Sequence, residues 1–193
     1  MLDALPPEYL VVSKQYHEII TTNAEILNSF NQSNQFTLED RAIQATQAYE
    51  VLFIDQTLTP SNSTYDEAKK KNWSTTCWLP AACIVKLNHA VEVALALKVV
   101  TFMQCKFAVR SAGHNSNSGC SSIGASGVLL DLSLLNDIVL SMDGDVVSVC
   151  PAATWNEVYD KLEKVGLTVV GGRASGVGVG GLILGGMYHP LMH

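Results

Sequence analysis

The stretch from Cys105 to Gly119 (CKFAVRSAGHNSNSG) holds the residues whose types and order could do chemistry. A strand-like apolar run opens abruptly at Arg110 into Ser111, Ala112, Gly113, His114 and Asn115, a loop of small residues with one cation and one imidazole. Gly113 supplies conformational freedom, Ser and Asn side chains compete locally for backbone hydrogen bonds, and no large side chain bars a ligand. Such a loop can turn several backbone N–H groups toward one anion, a phosphate-sized nest. The expected chemistry is capture of a polyphosphate-bearing ligand at a strand end. Two partners are open to Arg110, a phosphate or an acid inside the domain. Taken alone, His114 reads as a solvated or locally hydrogen-bonded histidine.

About sixty residues on lies a glycine-rich run, Val170 to Gly186 (VGGRASGVGVGGLILGG), which contains Gly172, Ser175, Gly178, Gly180 and Gly181. Its segment Gly176 to Gly181 satisfies the dinucleotide pattern G-x-G-x-x-G, but that fingerprint also requires a helix and an acid about twenty residues further on. No acid stands between Gly181 and His193, so a nicotinamide-binding reading is disfavoured. The glycines instead suggest backbone held closely against a flat, bulky cofactor.

Arg110-Ser111-Ala112-Gly113-His114 followed by this second run resembles the FAD-binding (PCMH-type) domain of the vanillyl-alcohol oxidase superfamily. Within it, the chain is most similar to the fungal berberine-bridge-enzyme-like oxidoreductases. The likeness covers about Tyr65 to Gly186, and Tyr65, Trp73-Ser74 and Pro80-Ala81-Ala82-Cys83-Ile84-Val85 follow the fungal pattern. The resemblance implies FAD as cofactor. It places Arg110, Ser111, Ala112, Gly113, His114 and Asn115 around the pyrophosphate, and Gly172, Ser175, Gly178, Gly180 and Gly181 beside flavin and pyrophosphate. It also implies a covalent bond from His114 to the flavin 8α-methyl and a disulfide between Cys83 and Cys105, for which buried free thiols are the other reading. In a complete relative, FAD takes a hydride from a small-molecule substrate, often in secondary metabolism, and O2 reoxidises it. Ala174 stands where some relatives carry a cysteine that makes a second flavin bond, so only single attachment is available there. Ala112 replaces a usual glycine, at an expected cost of about 1 kcal/mol if that position needs positive φ.

The bulk properties set outer limits. The 193 residues, 48% hydrophobic and 16% charged, are enough for one domain with a real core. A net charge of -6 leaves no basic footprint, so nucleic acid and anionic membrane are demoted as partners. No apolar run is long enough to span a bilayer, and the five cysteines lack metal-ligand spacing. Compartment is ambiguous. MLDALPPEYL does not read as a signal peptide, which points to the cytosol, whereas Asn31-Gln32-Ser33, Asn62-Ser63-Thr64 and Asn72-Trp73-Ser74 are glycosylation acceptor patterns and the resemblance is to a family whose members are often secreted.

The elements that must position these loops follow in order. Residues 1–64 are expected to form a helical extension, with helices over about Glu8 to Phe30 and Leu38 to Phe53 and a linker over Thr57 to Tyr65. Residues 65–193 are expected to form an α+β, two-part FAD-binding domain. In it, Ile84 to Leu87 and Lys106 to Arg110 are strands of a βαβ unit. Asn88 is expected to cap the crossover helix, whose Val91, Leu95, Val99 and Phe102 share a face, and the two strands are read as neighbours that bring Cys83 near Cys105. Gly127 to Leu132 is a third strand, Leu134 to Val149 a hairpin turning at Asp143-Gly144, and Thr154 to Glu157 a capping box that opens a helix ended by Gly166. Met187 to His193, including Tyr188, His189 and His193, does not resemble the family's continuation and reads as a tail. The expectation is therefore an incomplete domain without the substrate domain or the catalytic base. Its exposed edge would need a partner subunit to cover it, and the alternative is a non-catalytic flavin-binding remnant or partner subunit.

Overall fold

Thr37 begins the first helix of the computed structural model, which describes residues 36–186. Its Oγ1 accepts the Asp40 N–H at 3.1 Å, and the Asp40 carboxylate accepts the Thr37 N–H at 2.9 Å, so two otherwise orphaned donors are satisfied reciprocally. Those bonds from Thr37 also hold the Asp40 carboxyl below the usual carboxylate range. Helix α1 (Leu38–Leu52) buries Ala42, Ala45, Thr46 and Tyr49, a stripe at helical spacing.

That stripe packs on a four-stranded sheet in the order β1-β2-β4-β3, formed by β1 (Thr57–Leu58), β2 (Ile84–Lys86), β3 (Lys106–Arg110) and β4 (Gly127–Asp131). Strands β2, β4 and β3 are parallel and β1 is antiparallel to β2. Every residue of β4 is buried, which accounts for the continuous apolar run GVLL at the centre of a sheet covered on both faces. On one face, α1 and the crossover helix α3 (Ala90–Phe102) cover Val85, Val128 and Leu130; on the other, helix α2 (Tyr65–Lys69) and Ala81 cover Ile84, Leu129 and Ala108. Edge strand β3 leaves Phe107 and Val109 partly exposed on the helix-covered face.

Several expectations change here. The segment read as a linker supplies β1, and Thr57 Oγ1 donates to the Tyr49 carbonyl at 3.0 Å, so a boundary drawn at 64/65 runs through a shared core. The N-cap of α3 is His89, not Asn88; the Asn88 N–H instead donates to the Glu92 carboxylate at 2.6 Å, one turn into the helix. Ala96 and Val100 are its fully buried residues, Leu95 and Val99 of the expected line pack partly buried against the same core, and Phe102 at the helix end is exposed. Strand β4, between β2 and β3, separates the strands that follow Cys83 and Cys105, and both cysteines are free thiols in one core cluster. The helix expected over 8–30, the Asn31 acceptor pattern and the carboxyl-terminal tail lie outside the described residues.

The second part of the domain matches its reading closely. Strands β5 (Ile138–Leu140) and β6 (Val147–Val149) form an antiparallel pair turning through Gly144, whose φ of +79° suits glycine. Helix α4 (Trp155–Glu163) opens with the Thr154–Glu157 capping box and buries Trp155, Val158 and Leu162 against Ile138, Ala153 and Val179. A short helix α5 (Val179–Leu184) follows the second glycine-rich loop.

Burial pushes the Cys83 thiol from 9.0 up to about 12 and that of Cys105 up to about 11. Both hold their protons in the folded state beyond the pH at which an unfolded chain releases them. Their contribution is intact below about pH 9 and is lost as pH climbs toward 11–12, so the urea midpoint should fall over that window. With a disulfide reagent near neutral pH, exposed Cys120 should react first, and Cys83 and Cys105 only after unfolding, to a total of five thiols. A smaller total in denaturant would contradict the free-thiol assignment.

Candidate functional site: a loop of unsatisfied amides beside His114

The site begins at the end of β3, where Arg110 turns inward. Its guanidinium is 2% exposed, donating to Asp131 Oδ2 at 2.8 Å and to Asn72 Oδ1 at 3.0 Å. Asp131 is wholly buried at the end of β4, and its other oxygen accepts the Ser133 N–H at 3.0 Å. Asn72 completes the group by donating from Nδ2 to Ser121 Oγ at 2.9 Å, while its carbonyl accepts Trp78 Nε1–H. Of the two partners open to Arg110, the structure selects the internal acid. The Arg110 side chain is thus committed to the interior, and its place among expected pyrophosphate ligands is not supported by its geometry. Asn72 is likewise corrected as a glycosylation acceptor, because its amide is buried and hydrogen-bonded.

What Arg110 anchors is the loop that follows. Gly113 is buried with φ of +74°, a conformation an L side chain resists. Ala112 is not in the positive-φ region, so its expected strain does not arise. The segment 73–77 braces the loop from one side: Trp73 N–H donates to the Gly113 carbonyl at 3.0 Å, Thr76 Oγ1 to Ser116 O at 3.2 Å, and the Cys77 thiol to Asn115 O at 3.4 Å. Carbonyls are therefore turned toward that brace. Among the described residues, the backbone N–H groups of Ala112, Gly113, His114, Asn115 and Ser116 have no acceptor. A run of unsatisfied donors at a loop with one left-handed residue is a nest suited to phosphate oxygens. His114 is half-buried, its imidazole stacked on the Trp73 indole, and neither ring nitrogen has a hydrogen-bond partner among the described residues.

The second loop is held by α4. A Cβ on Gly171 or Gly172 would lie 2.0 or 2.4 Å from the Trp155 ring, and Tyr159 Oη donates to the Gly172 carbonyl at 2.8 Å. The Gly176 N–H reaches Asn156 Oδ1 at 3.1 Å. The glycines expected to lie against cofactor thus divide. Gly171 and Gly172 make room for an indole of this same chain, Gly180 for the Pro151 backbone, and Gly178 for Ala112, while Gly181 faces open space. Ser175 is exposed and makes no polar contact with the described residues. No strand precedes Gly176, which removes the remaining support for a Rossmann turn. The two loops do meet: Gly178 lies against the Ala112 methyl, and Ser111 Oγ donates to the Pro151 carbonyl.

Asn72, Trp73, Asp131 and Trp155 escaped functional reading of the sequence. A carboxylate closing a wholly apolar strand, as in GVLLD, was the available signal for Asp131. Asn72 was hidden inside its acceptor tripeptide.

An α+β frame presenting two joined loops, one lined with free amides, defines a domain that holds a phosphate-linked nucleotide cofactor. The FAD binding domain family model matches residues 81–192, more than half of the chain, and the chain belongs to that family. It is similar to the FAD-dependent monooxygenase yanF of Aspergillus niger, at 44% identity over 132 residues, which is 68% of this chain and 23% of that protein. It is also similar to the FAD-dependent monooxygenase macF of Penicillium terrestre, at 44% identity over 135 residues, 70% of this chain and 26% of that one. The chain thus spans about a quarter of the curated relatives it matches. Among solved structures, GilR, an oxidoreductase that catalyses the terminal step of gilvocarcin biosynthesis, superposes with a TM-score of 0.60 at 25% identity, covering 68% of this chain and 27% of GilR. The BBE-like 1 protein of Physcomitrella patens shares the fold at a TM-score of 0.59 and 17% identity, over 76% of this chain and 30% of its own. The residues present fit FAD: amides without an acceptor among the described residues suit its pyrophosphate, and the His114 imidazole, without a hydrogen-bond partner among them, belongs to the same loop.

The contact between Ala112 and Gly178 gives a direct test of how the loops join. A Cβ at Gly178 would fall 2.6 Å from that of Ala112. Gly178→Ala should destabilise the chain by about 1–3 kcal/mol, and Ala112→Gly in the same chain should restore most of the loss. Denaturant midpoints of the two single variants and the double variant measure the coupling.

Proposed function

We propose that this chain forms the pyrophosphate-holding part of an FAD-linked oxidoreductase of the berberine-bridge-enzyme-like type, acting in fungal secondary metabolism. The observation that carries the reading is the run of amides from Ala112 to Ser116 that have no acceptor among the described residues, with His114, whose ring nitrogens have no partner among those residues either, at its centre. When bound, FAD would supply the hydride acceptor for oxidation of a small-molecule substrate and would return its electrons to O2. The chain's own residues bind and orient. The amides of Ala112, Gly113, His114, Asn115 and Ser116 receive phosphate oxygens, Arg110 holds the loop from below, and Gly178, Gly180 and Gly181 bring the second loop alongside. Because the chain matches only about a quarter of its curated relatives, we assign substrate binding and the catalytic base to the portion those relatives have beyond the match.

His114 is assigned as the covalent attachment point. With FAD bound, a ring nitrogen of His114 would take the 8α-methyl carbon in exchange for the imidazole N–H and one methyl C–H bond, and the electron pair and two protons released would leave with O2 as hydrogen peroxide. The imidazole must present an unprotonated nitrogen, and in this structure no described side chain competes for it.

Purified protein supplied with FAD should remain yellow after acid precipitation, whereas His114→Ala should release all of its flavin while still binding it reversibly. Acid-stable flavin in the His114→Ala variant would overturn the attachment assignment. Absence of any flavin binding by the wild-type chain would overturn the wider reading.

A further inference from the structure

Trp73 is 67% exposed, an unusual place for an indole that covers no part of the core. Its ring instead lies over the His114 imidazole, with centroids 5.1 Å apart and planes inclined by 17°. That offset, near-parallel arrangement is one of the two favoured aromatic geometries. The platform beneath it is fixed, because the Trp73 backbone N–H donates to the Gly113 carbonyl at 3.0 Å, one residue before the imidazole it supports. Further bonds from Thr76 and Cys77 to Ser116 and Asn115 tie the same two segments together on the far side of His114. The imidazole is consequently supported over one face, while its nitrogens carry no hydrogen bond to any described residue.

An ordinary loop histidine is oriented, if at all, through a hydrogen bond on one of its nitrogens. Such a bond would occupy a nitrogen or fix which one bears the proton. Support by a stacked indole orients the ring while leaving both nitrogens available. Reaction rates depend steeply on whether the reacting atoms are held in a near-attack arrangement, so an imidazole free to leave its rotamer would attack less often.

We propose that Trp73 is the positioning residue for His114, holding the imidazole by its face so that a ring nitrogen meets the flavin methyl carbon. The inference rests on the assignment of His114 as the attachment point, and it concerns only how fast and how directly that bond forms. Since Trp73 is exposed and outside every core cluster, its removal should leave the fold and reversible FAD binding in place.

The test follows growth of acid-stable flavin fluorescence after FAD in air is added to the flavin-free full chain, at several FAD concentrations, for wild type, Trp73→Ala, Trp73→Phe and His114→Ala. Trp73→Ala should lower the limiting rate on the order of 5–10-fold, with half-saturating FAD changed by less than about two-fold. Trp73→Phe, which keeps a stacking ring, should recover most of the rate. In the flavin-free chain, the ring-proton resonances of His114 should lose their upfield ring-current shift in Trp73→Ala. A wild-type limiting rate in Trp73→Ala, or unmoved His114 resonances, would overturn the positioning role while leaving the attachment assignment standing. Acid-stable flavin in His114→Ala, or none in wild type, would overturn the assignment beneath it, and the resonance comparison would still decide whether the stack exists.

Discussion

The buried pair of Arg110 and Asp131 is the constraint on which the rest of this structure depends. Placing two charges where water does not reach is costly, and the pair is made tolerable by the polar groups gathered around it. Asn72 takes one guanidinium nitrogen, the Ser133 backbone takes the second carboxylate oxygen, and Ser121 satisfies the Asn72 amide. Removing one charge would strand the other, at a cost of about 3–5 kcal/mol. The pair also joins the carboxyl ends of two adjacent parallel strands to the segment that runs under the loop. It decides where β3 stops and which way the chain leaves it.

From that anchor the site follows by exclusion. With the carbonyls of Gly113, Asn115 and Ser116 bonded to the 73–77 segment, the loop's own amides are left without an acceptor among the described residues. The second loop is shaped in the same manner by contact within the chain. The Trp155 indole occupies the space of two missing side chains, and Tyr159 and Asn156 pin the backbone on either side of it. Both loops are thus prepared before any ligand arrives, which lowers the ordering a cofactor must impose.

Much of this was legible in the sequence wherever a local rule governs. The Thr154–Glu157 capping box, the left-handed turn at Gly144, and the apolar run of β4 each declare themselves within a few residues. The strand order was not legible. Nothing near Cys83 or Cys105 reveals that β4, which follows both, slips between their strands, so proximity in sequence misled. Arg110 was equally opaque, since a basic residue beside a phosphate-type loop has the same appearance whether it reaches the ligand or a buried acid twenty-one positions away. The glycines were recognised as sites of close approach, and the groups this chain itself brings against Gly171, Gly172, Gly178 and Gly180 are Trp155, Ala112 and Pro151, contacts that only the folded chain creates.

The central claim is that the amides of residues 112–116 are the pyrophosphate seat. Amide resonances of the isotope-labelled chain, followed as FAD is added, test it most directly. The account predicts that Ala112, Gly113, His114, Asn115 and Ser116 shift together and gain protection from hydrogen exchange, with smaller changes at Gly178 and Gly181. FAD binding that leaves those five amides unmoved, or no binding at all, would contradict it.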